Sequence, residues 1–516
     1  MKKAIYINCW TDPWLKVAEQ IEKEYGIEPG YWIDYFEEKK EQEIVGRFKN
    51  VIYHRDLDAW CGRFPEQIES HFEEVNLCID FLRENPEYEL MALKMIDRLD
   101  PTLHYFSFPE RQRHVRNLFR KWMYCLQLVK PEFVVTPMVP HRVYDYTLYM
   151  LCRYMGIPFV FFNHTPFSGR CIVLQDYFSI GDMFVDDYRK NLQISNRPID
   201  VEPDVLAAFE TNKKDYREAR PNYMVKNEAA DHRWNSTWKI LRHTAGTLVT
   251  ERHNLRGKYG RLKNWVYGPY YKMDENITME ESYNTLPFYL KVNIKGNHYV
   301  KSLKKHYEAL TVKPNYQEKY VVLFLHYQPE ATTCPIGNIF VDQELCVDVL
   351  LKNLPPDYKV YVKEHPSQFY AHSEGQMGRI TQFYYDLAKK PRVKLMSTNE
   401  VSFDLVEHCQ ALATVSGTVG WEGVVRGKPV IVFGMTWYEN YDKGVLRITD
   451  DTSASKMMQF INKYAYDEHS VMAYLSSVSK NTVKAYFYKA IHKEKQLVTD
   501  KQCVDNLVNA IMTRIR

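Results

Sequence analysis

Several patterns are missing from this 516-residue chain. Its ten cysteines are scattered, with no C-x-x-C pair and no zinc-like cluster, which fits a reducing compartment and sets structural zinc aside. No stretch offers about 18 consecutive apolar residues, so nothing reads as a membrane span. There is no G-x-x-x-x-G-K-[ST], no G-x-G-x-x-G after a strand and no H-E-x-x-H. The D-x-D at Asp56-Leu57-Asp58 stands far in sequence from the motifs below and reads as a solvated loop or helix cap. NTP hydrolysis and metal-dependent chemistry lose ground accordingly, and the expectation is no metal and no cofactor.

At this length one ordinary core does not suffice, so two domains or more are expected. With 45% apolar and 26% charged residues the composition is that of a folded globular protein. Lys2-Lys3 could mimic the start of a signal peptide, but Asn8 and then Thr11-Asp12-Pro13 cut the apolar run short. A first strand and its loop are expected there, and with them a cytoplasmic protein. Net charge is +3, unevenly spread: residues 211–315 hold 20 Lys/Arg against 10 Asp/Glu, a net +10. Such asymmetry suits an anionic partner such as a lipid headgroup, an acidic glycan or nucleic acid, or else a solvated linker face.

The C-terminal half alternates apolar runs of strand length at 319–326, 358–364, 393–397, 411–415 and 429–433 with stretches of helical spacing. That pattern predicts a parallel sheet covered by helices on both faces. In the N-terminal half, strands are expected at 3–8, 31–36, 50–54, 132–136 and 157–163, and helices at 65–83, 109–128 and 144–154. The resulting fold class is α/β, with two Rossmann-like doubly wound domains, at 1–195 and 317–465. Between them lies a basic, Tyr-rich helical insertion or bridge at 196–316. A helical tail at 466–516 is expected to cross back to the first domain.

Three polar motifs follow strands of the second sheet, where open α/β sheets bind ligands. In the first, Lys363 and Glu364 alternate across a strand end and one of them should face the ligand. His365 is fixed there by Pro366 and can donate to a phosphate, stabilising charge that grows on a leaving group. The second is the small-residue turn Ser416-Gly417-Thr418, running into a helix that carries Gly420 and Glu422. Free amides at its start suit a phosphate or carboxylate, the two glycines would let a ligand approach the backbone, and Glu422 lies within reach of ribose hydroxyls. The third is His326-Tyr327-Gln328-Pro329-Glu330, suited to base or substrate recognition through Gln328 and Glu330. Each has a plainer reading: a strand-end histidine, a capped helix, a turn. In the N-terminal half, His141 and Asp145 follow one strand and His164 another, with Asp12 in the first loop as a weaker candidate. Helix capping or a structural hydrogen bond competes with catalysis at each.

The order Y-Q-P-E, V-K-E-H-P, S-G-T-V-G-W-E-G and G-K-P-V-I-V-F-G, followed by Trp437-Tyr438, resembles the bacterial capsule polysaccharide biosynthesis family. That family includes the Kdo transferases that start capsule chains, and its HP motif is shared with bacterial polysialyltransferases. The stretch P-x-x-P-H-x-x-Y-D-Y at 137–146 is also similar to its N-terminal domain. The resemblance covers about residues 130–180 and 320–440, and the motifs occur here in one copy, unlike the duplicated Kdo transferases. It implies a GT-B arrangement whose domains face a cleft and a metal-independent transferase. The donor would be a CMP-activated 2-keto sugar acid, Kdo or a nonulosonic acid such as sialic acid. His365 and Pro366 would contact the CMP phosphate, and Ser416, Gly417 and Thr418 the phosphate or sugar carboxylate. His141, Asp145 and His164 would be the candidates for base or nucleophile. The implied acceptor is a bacterial surface glycan or glycolipid such as capsule or lipopolysaccharide. Contact would be peripheral, at the inner face of the cytoplasmic membrane, with no nucleic acid involved. Two alternatives stand beside it: a CDP-glycerol-type glycerophosphotransferase and a non-catalytic glycan- or lipid-binding assembly factor.

Overall fold

Runs that are apolar at nearly every position suit strands buried on both faces, and here they become the centres of two sheets. The computed structural model describes residues 2–10, 12–34, 38–76, 79–99, 107–195, 197–214, 238, 241–242, 286–370, 375–487 and 497–515. The chain first forms β1 (Lys2–Ile7), β2 (Ile27–Asp34), β3 (Ile52–Arg55), β4 (Pro131–Thr136), β5 (Phe159–His164) and β6 (Arg170–Leu174). A second series follows: β7 (Lys319–Phe324), β8 (Tyr358–Lys363), β9 (Val393–Met396), β10 (Ala411–Thr414), β11 (Val430–Val432) and β12 (Val445–Arg447). Last comes β13 (Val483–Lys484).

The second series makes one sheet, in the order β12-β11-β10-β7-β8-β9. Every pairing in it is parallel. Counted from its own first strand the order is 3-2-1-4-5-6, the doubly wound Rossmann order, with its switch point between β7 and β10. The other sheet runs β13-β6-β5-β4-β1-β2-β3. It is parallel from β3 to β5 and ends in two antiparallel strands, β6 and β13. Both sheets are therefore Rossmann-like, as the α/β reading requires.

Two compact units result: Met1–Leu99, Phe106–Ile180 and Val478–Arg516 form one, and Gly181–Ser477 the body of the other. The divisions fall at 180/181 and 477/478, whereas the sequence placed them at 195 and 465. The reason is local packing. The helix Val185–Leu192 and its preceding turn bond within the second unit, Asn191 Nδ2 donating to Ala473 O at 3.1 Å and Tyr188 Oη to Asp442 Oδ1 at 3.1 Å. In the first unit the helix Asp500–Ile515 buries Cys503, Leu507, Val508 and Ile511 in a core shared with Trp14, Ala18 and Ile21 of the helix Asp12–Tyr25.

Residues 65–83, expected as one helix, instead form the pieces Glu66–Glu69, Phe72–Glu74 and Ile79–Glu84. Val75 takes an extended backbone (φ −81°, ψ 126°) and is buried, which ends the helical run. Most of the basic stretch, including Tyr267, Tyr270 and Tyr271, lies outside the described residues. Its end is the helix Leu286–Leu310, which sets Val300, Leu303 and Tyr307 into the core of the second unit. Among the described residues no helix is long and apolar enough to cross a membrane.

Leu507 is fully buried. Leu507→Ala should destabilise the first unit by about 2–5 kcal/mol, the range for a large-to-small core substitution. Urea unfolding followed by tryptophan fluorescence measures this, and a midpoint equal to wild type would contradict the packing of the C-terminal helix.

Candidate functional site

Side chains alternate along a strand, so β8 sorts its motif residues between two faces. Tyr361 stacks on Tyr320 at 4.1 Å, and Lys363 and His365 follow it at steps of two. Two helices cover this face. Ser402–His408 accepts a hydrogen bond from Tyr320 Oη at Leu405 O, 2.8 Å. Thr418–Val425 comes so close to β10 that a Cβ on Gly423 would lie 3.1 Å from Leu412, whose register partner Val322 is two residues from Tyr320. Glu364 points to the other face. There its Oε2 accepts from Arg379 Nε (2.9 Å) and Tyr384 Oη (2.8 Å), while Tyr307 Oη accepts from its backbone N–H (2.9 Å). Of the pair Lys363 and Glu364, it is Lys363 that shares the face of His365, and Glu364 holds the interior together.

His365, the second residue past β8, has φ −70° and ψ 127° and caps the short 3-10 turn opened by Pro366. Its Nδ1 accepts from Ser367 N–H at 3.2 Å. A neutral ring that accepts at Nδ1 carries its proton on Nε2, and this tautomer is assigned from that bond. Burial, with the charge of Lys363 adding to it, holds the His365 pKa down to about 4. At neutral pH the ring is thus an uncharged Nε2–H donor.

The turn after β10 is held by His326, the second residue past β7. Its Nε2 accepts from Ser416 N–H at 3.1 Å and lies 3.1 Å from Thr414 Oγ1. Its Nδ1 then carries the proton and meets Thr332 Oγ1 at 3.3 Å, and Thr332 donates to Glu330 Oε2 at 2.7 Å. Burial lowers the His326 pKa to about 3, with His365 and Arg379 adding to the effect, so it stays neutral. Glu330 therefore contributes through this chain, which joins the third motif to the second. Gln328 is buried: its backbone N–H donates to Gln368 Oε1 (2.9 Å), its Nε2 to Val341 O (2.6 Å), and its Oε1 accepts from Arg379. It is a scaffold residue here.

Ser416 Oγ donates to Thr332 O at 2.7 Å, and no side chain caps the helix that begins at Thr418. Plain capping by Ser416 or Thr418 is thus not what these hydroxyls do. Gly420 N–H bonds to Gly417 O at 3.0 Å, while the N–H groups of Thr418 and Val419 have no partner among the described residues. They leave the positive end of the helix open to an anion. The glycines answer to the protein's own packing: a Cβ on Gly417 would sit 2.9 Å from Thr414 Oγ1, and one on Gly420 2.2 Å from Tyr438 Oη. Below them Trp421 packs on Trp437 at 4.6 Å, which anchors the helix. Glu422, one turn in, is half-buried, and its carboxylate has no hydrogen bond or ion pair among the described residues. Burial raises its pKa to about 7 against the opposing charge of Arg426. Sequence reasoning missed His326 as a site residue and missed Arg379. The signal for His326 was present, since it stands at the switch-point end of the sheet's first strand.

In the first unit the residues after β4 are largely committed to structure. Asp145 is fully buried and accepts from Arg142 N–H at 2.7 Å in a capping box, with burial raising its pKa to about 7. Asp56 accepts from Arg142 and from Tyr144, and Asp58 pairs with Arg63, so the D-x-D makes internal bonds. Among the described residues no group of three or more His, Cys, Asp and Glu is placed to hold a metal ion. His141 is half-buried, and its Nδ1 meets Val139 O at 2.7 Å; the carbonyl can only accept, so Nδ1 donates and Nε2 keeps a lone pair. Burial and the nearby Arg98 and Arg142 hold its pKa well below the usual value. His164 is exposed at the end of β5, its ring 4.6 Å from Phe487. The Asp12 side chain lies outside the described residues.

Residues 301–488 match the sequence profile of the family described as capsule polysaccharide biosynthesis protein. No curated protein matches the chain. Among solved structures it is similar to KpsC of Thermosulfurimonas dismutans, a beta Kdo 2,7 transferase, at 14% identity and a TM-score of 0.24 over 43% of this chain and 65% of that one. The match therefore spans less than two thirds of that relative. It is also similar to UDP-GlcNAc 2-epimerase of Methanocaldococcus jannaschii, at 10% identity and 0.24, over 90% and 94% of the two chains. A third is the trehalose 6-phosphate synthase of Burkholderia multivorans, at 11% and 0.25, over 99% and 96%. At such TM-scores the likeness carries no argument about activity or substrate.

The buried neutral histidines set a pH dependence. His54 and His326 are lowered to about 3, and His114 and His365 to about 4, chiefly by burial. Between these values and the ordinary 6.5 the unfolded chain binds more protons, so stability is full above about pH 6.5 and falls as the pH drops toward 4. Urea midpoints at pH 7 and pH 5 should show the lower value at pH 5, and equal midpoints would contradict the burial of these rings.

Proposed function

We propose that this chain, whose residues 301–488 match the capsule polysaccharide biosynthesis family, is a glycosyltransferase of capsule assembly. The donor in this reading is a CMP-activated 2-keto sugar acid, Kdo or a nonulosonic acid, and the acceptor a surface glycan or glycolipid. One observation carries it. On a single face at the switch-point end of a Rossmann sheet, a neutral Nε2–H donor at His365 accompanies the uncapped start of the helix Thr418–Val425.

The chemistry follows from those groups. As the bond from the anomeric carbon to the phosphate breaks, negative charge grows on the CMP oxygens. His365 Nε2–H and the open amides of Thr418 and Val419 donate to them, which is preorganised electrostatic stabilisation. A leaving group with a single phosphate is matched by such donors without a metal ion. Glu422, half-buried and unpaired, would accept from ribose hydroxyls. For the acceptor step the proposed base is His141, whose Nε2 has no hydrogen-bond partner among the described residues, rather than Asp145, whose carboxyl is enclosed in its helix cap.

A CMP-release assay with CMP-Kdo, CMP-sialic acid and CDP-glycerol, each with EDTA, tests this reading. Turnover of a CMP-sugar acid in EDTA is expected, and His365→Ala should lower it by about 10²-fold with the fold intact. Turnover of CDP-glycerol alone would make the chain a glycerophosphotransferase. Glycan binding without any CMP binding would make it an assembly factor.

The net +10 of residues 211–315 supports a further element of the reading, contact with an anionic membrane face. Each Lys or Arg near such a surface contributes about 1 kcal/mol, screened by salt. Sedimentation with anionic liposomes should show binding at low salt that disappears at high salt, and equal, negligible binding at both would remove the membrane from the proposal.

A further inference from the structure

Lysine is almost never buried unless it is paired. Lys363 is 5% exposed, yet its Nζ makes one hydrogen bond, 3.0 Å to Ser402 Oγ. No carboxylate lies within ion-pairing distance of it among the described residues. Two acidic side chains are near enough to act through space, Glu308 and Glu400. Glu308 is already engaged, accepting from Ser397 Oγ (2.7 Å), Thr398 N (3.2 Å) and Thr398 Oγ1 (2.5 Å). Glu400 makes no side-chain bond among the described residues. Burial pulls the Lys363 pKa down to about 8, so the ammonium remains mostly charged at neutral pH, with two of its three N–H donors unused among the described residues.

A buried cation in this state is costly to the free protein, and an anion bound to it would recover the loss. Its position says which anion. Lys363 lies two residues before His365 on the same face of β8, close enough for its charge to lower the His365 pKa. The phosphate donors assigned above, His365 Nε2–H and the amides of Thr418 and Val419, are separate groups. A second anionic group of the same ligand therefore has its own partner.

We propose that Lys363 and Ser402 form a carboxylate subsite for the sugar acid of the donor, distinct from the groups that receive the nucleotide phosphate. This rests on the donor reading above and adds the reason for choosing a sugar acid over a neutral sugar. Ser402 Oγ, which accepts from Lys363, keeps its own proton to donate to the second carboxylate oxygen.

Calorimetric titration of CMP and of CMP-N-acetylneuraminate or CMP-Kdo into wild type, Lys363→Met and Ser402→Ala separates the possibilities. For Lys363→Met, CMP affinity should stay within about twofold while affinity for the CMP-sugar acid falls at least tenfold; Ser402→Ala should show the same selectivity with a loss of about threefold. Equal losses for both ligands would assign Lys363 to the phosphate and overturn the subsite while leaving the donor reading in place. No binding of either ligand by wild type would overturn both. A thermal melt accompanies the titration. Removing an unpaired buried charge should leave the Lys363→Met midpoint unchanged or raise it, whereas a drop that Glu400→Gln reproduces would mean that Lys363 serves an internal ion pair with Glu400.

Discussion

The guanidinium of Arg379, enclosed with Glu364 beneath the second sheet, fixes the ends of two strands at once. Its Nε donates to Glu364 at the end of β8, and its other nitrogens reach Gln328, Gly378 O (3.2 Å) and His326 O (3.2 Å) beyond β7. Both partners of the ion pair are almost wholly buried, at 3% and 0% side-chain exposure. A buried pair of this kind adds little net stability over a well-packed apolar pair, but losing one partner leaves the other charged in the interior. Its contribution is geometric. By holding the His326 carbonyl it sets where the His326 ring stands, and that ring in turn receives the Ser416 amide. The interior of the sheet thereby determines the position of a turn on its opposite face.

Two histidines with opposite tautomers divide the work at that face. His326 accepts at Nε2 and so must carry its proton on Nδ1; His365 accepts at Nδ1 and so presents Nε2–H. Burial keeps both neutral, so neither depends on the solution pH near 7 to hold its role. A charged imidazolium at position 326 could not accept the Ser416 amide, and the turn before the helix Thr418–Val425 would lose its support. Low pKa values here belong to the architecture as much as to the chemistry.

Much of this was legible from residues alone. The parallel sheet of the second unit announced itself because its strands are buried on both faces and read as continuous apolar runs, and five of its six strands fall within a few residues of where that pattern puts them. β12 escaped because it is three residues long at the sheet edge. In the first unit β6 and β13 were missed for a similar reason: β13 is two residues long, and β6 pairs antiparallel, outside the βαβ rhythm. His365 and the turn at Ser416 stand out as candidates in the sequence because a polar residue directly after a buried strand has few structural reasons to be there. Lys363 and Glu364 both remain ligand candidates in the sequence because alternation tells that neighbours diverge but not which of them points inward. That choice was made by Arg379, fifteen residues away across a loop, and no local pattern encodes it. The glycines at 417 and 420 mislead in the same way, since a ligand and a neighbouring tyrosine both require the missing Cβ.

The charge on the motif face is the last constraint to follow from this arrangement. Arg379 is neutralised on the far side and both histidines are uncharged, so among the described residues of these motifs the positive elements are the helix dipole at Thr418 and the ammonium of Lys363. A helix terminus offers roughly half an elementary charge and its effect fades within the first turn. Lys363 adds one full charge, but one partly withheld by burial. Such a site has limited capacity for anions, and what it has is split between two places on one face. A ligand carrying two separated single charges matches this distribution better than one with its charge concentrated in a diphosphate, because each charge then replaces lost water with its own fixed partner. The selectivity proposed for the donor thus comes from how sparingly charge is placed on this face as much as from which residues carry it.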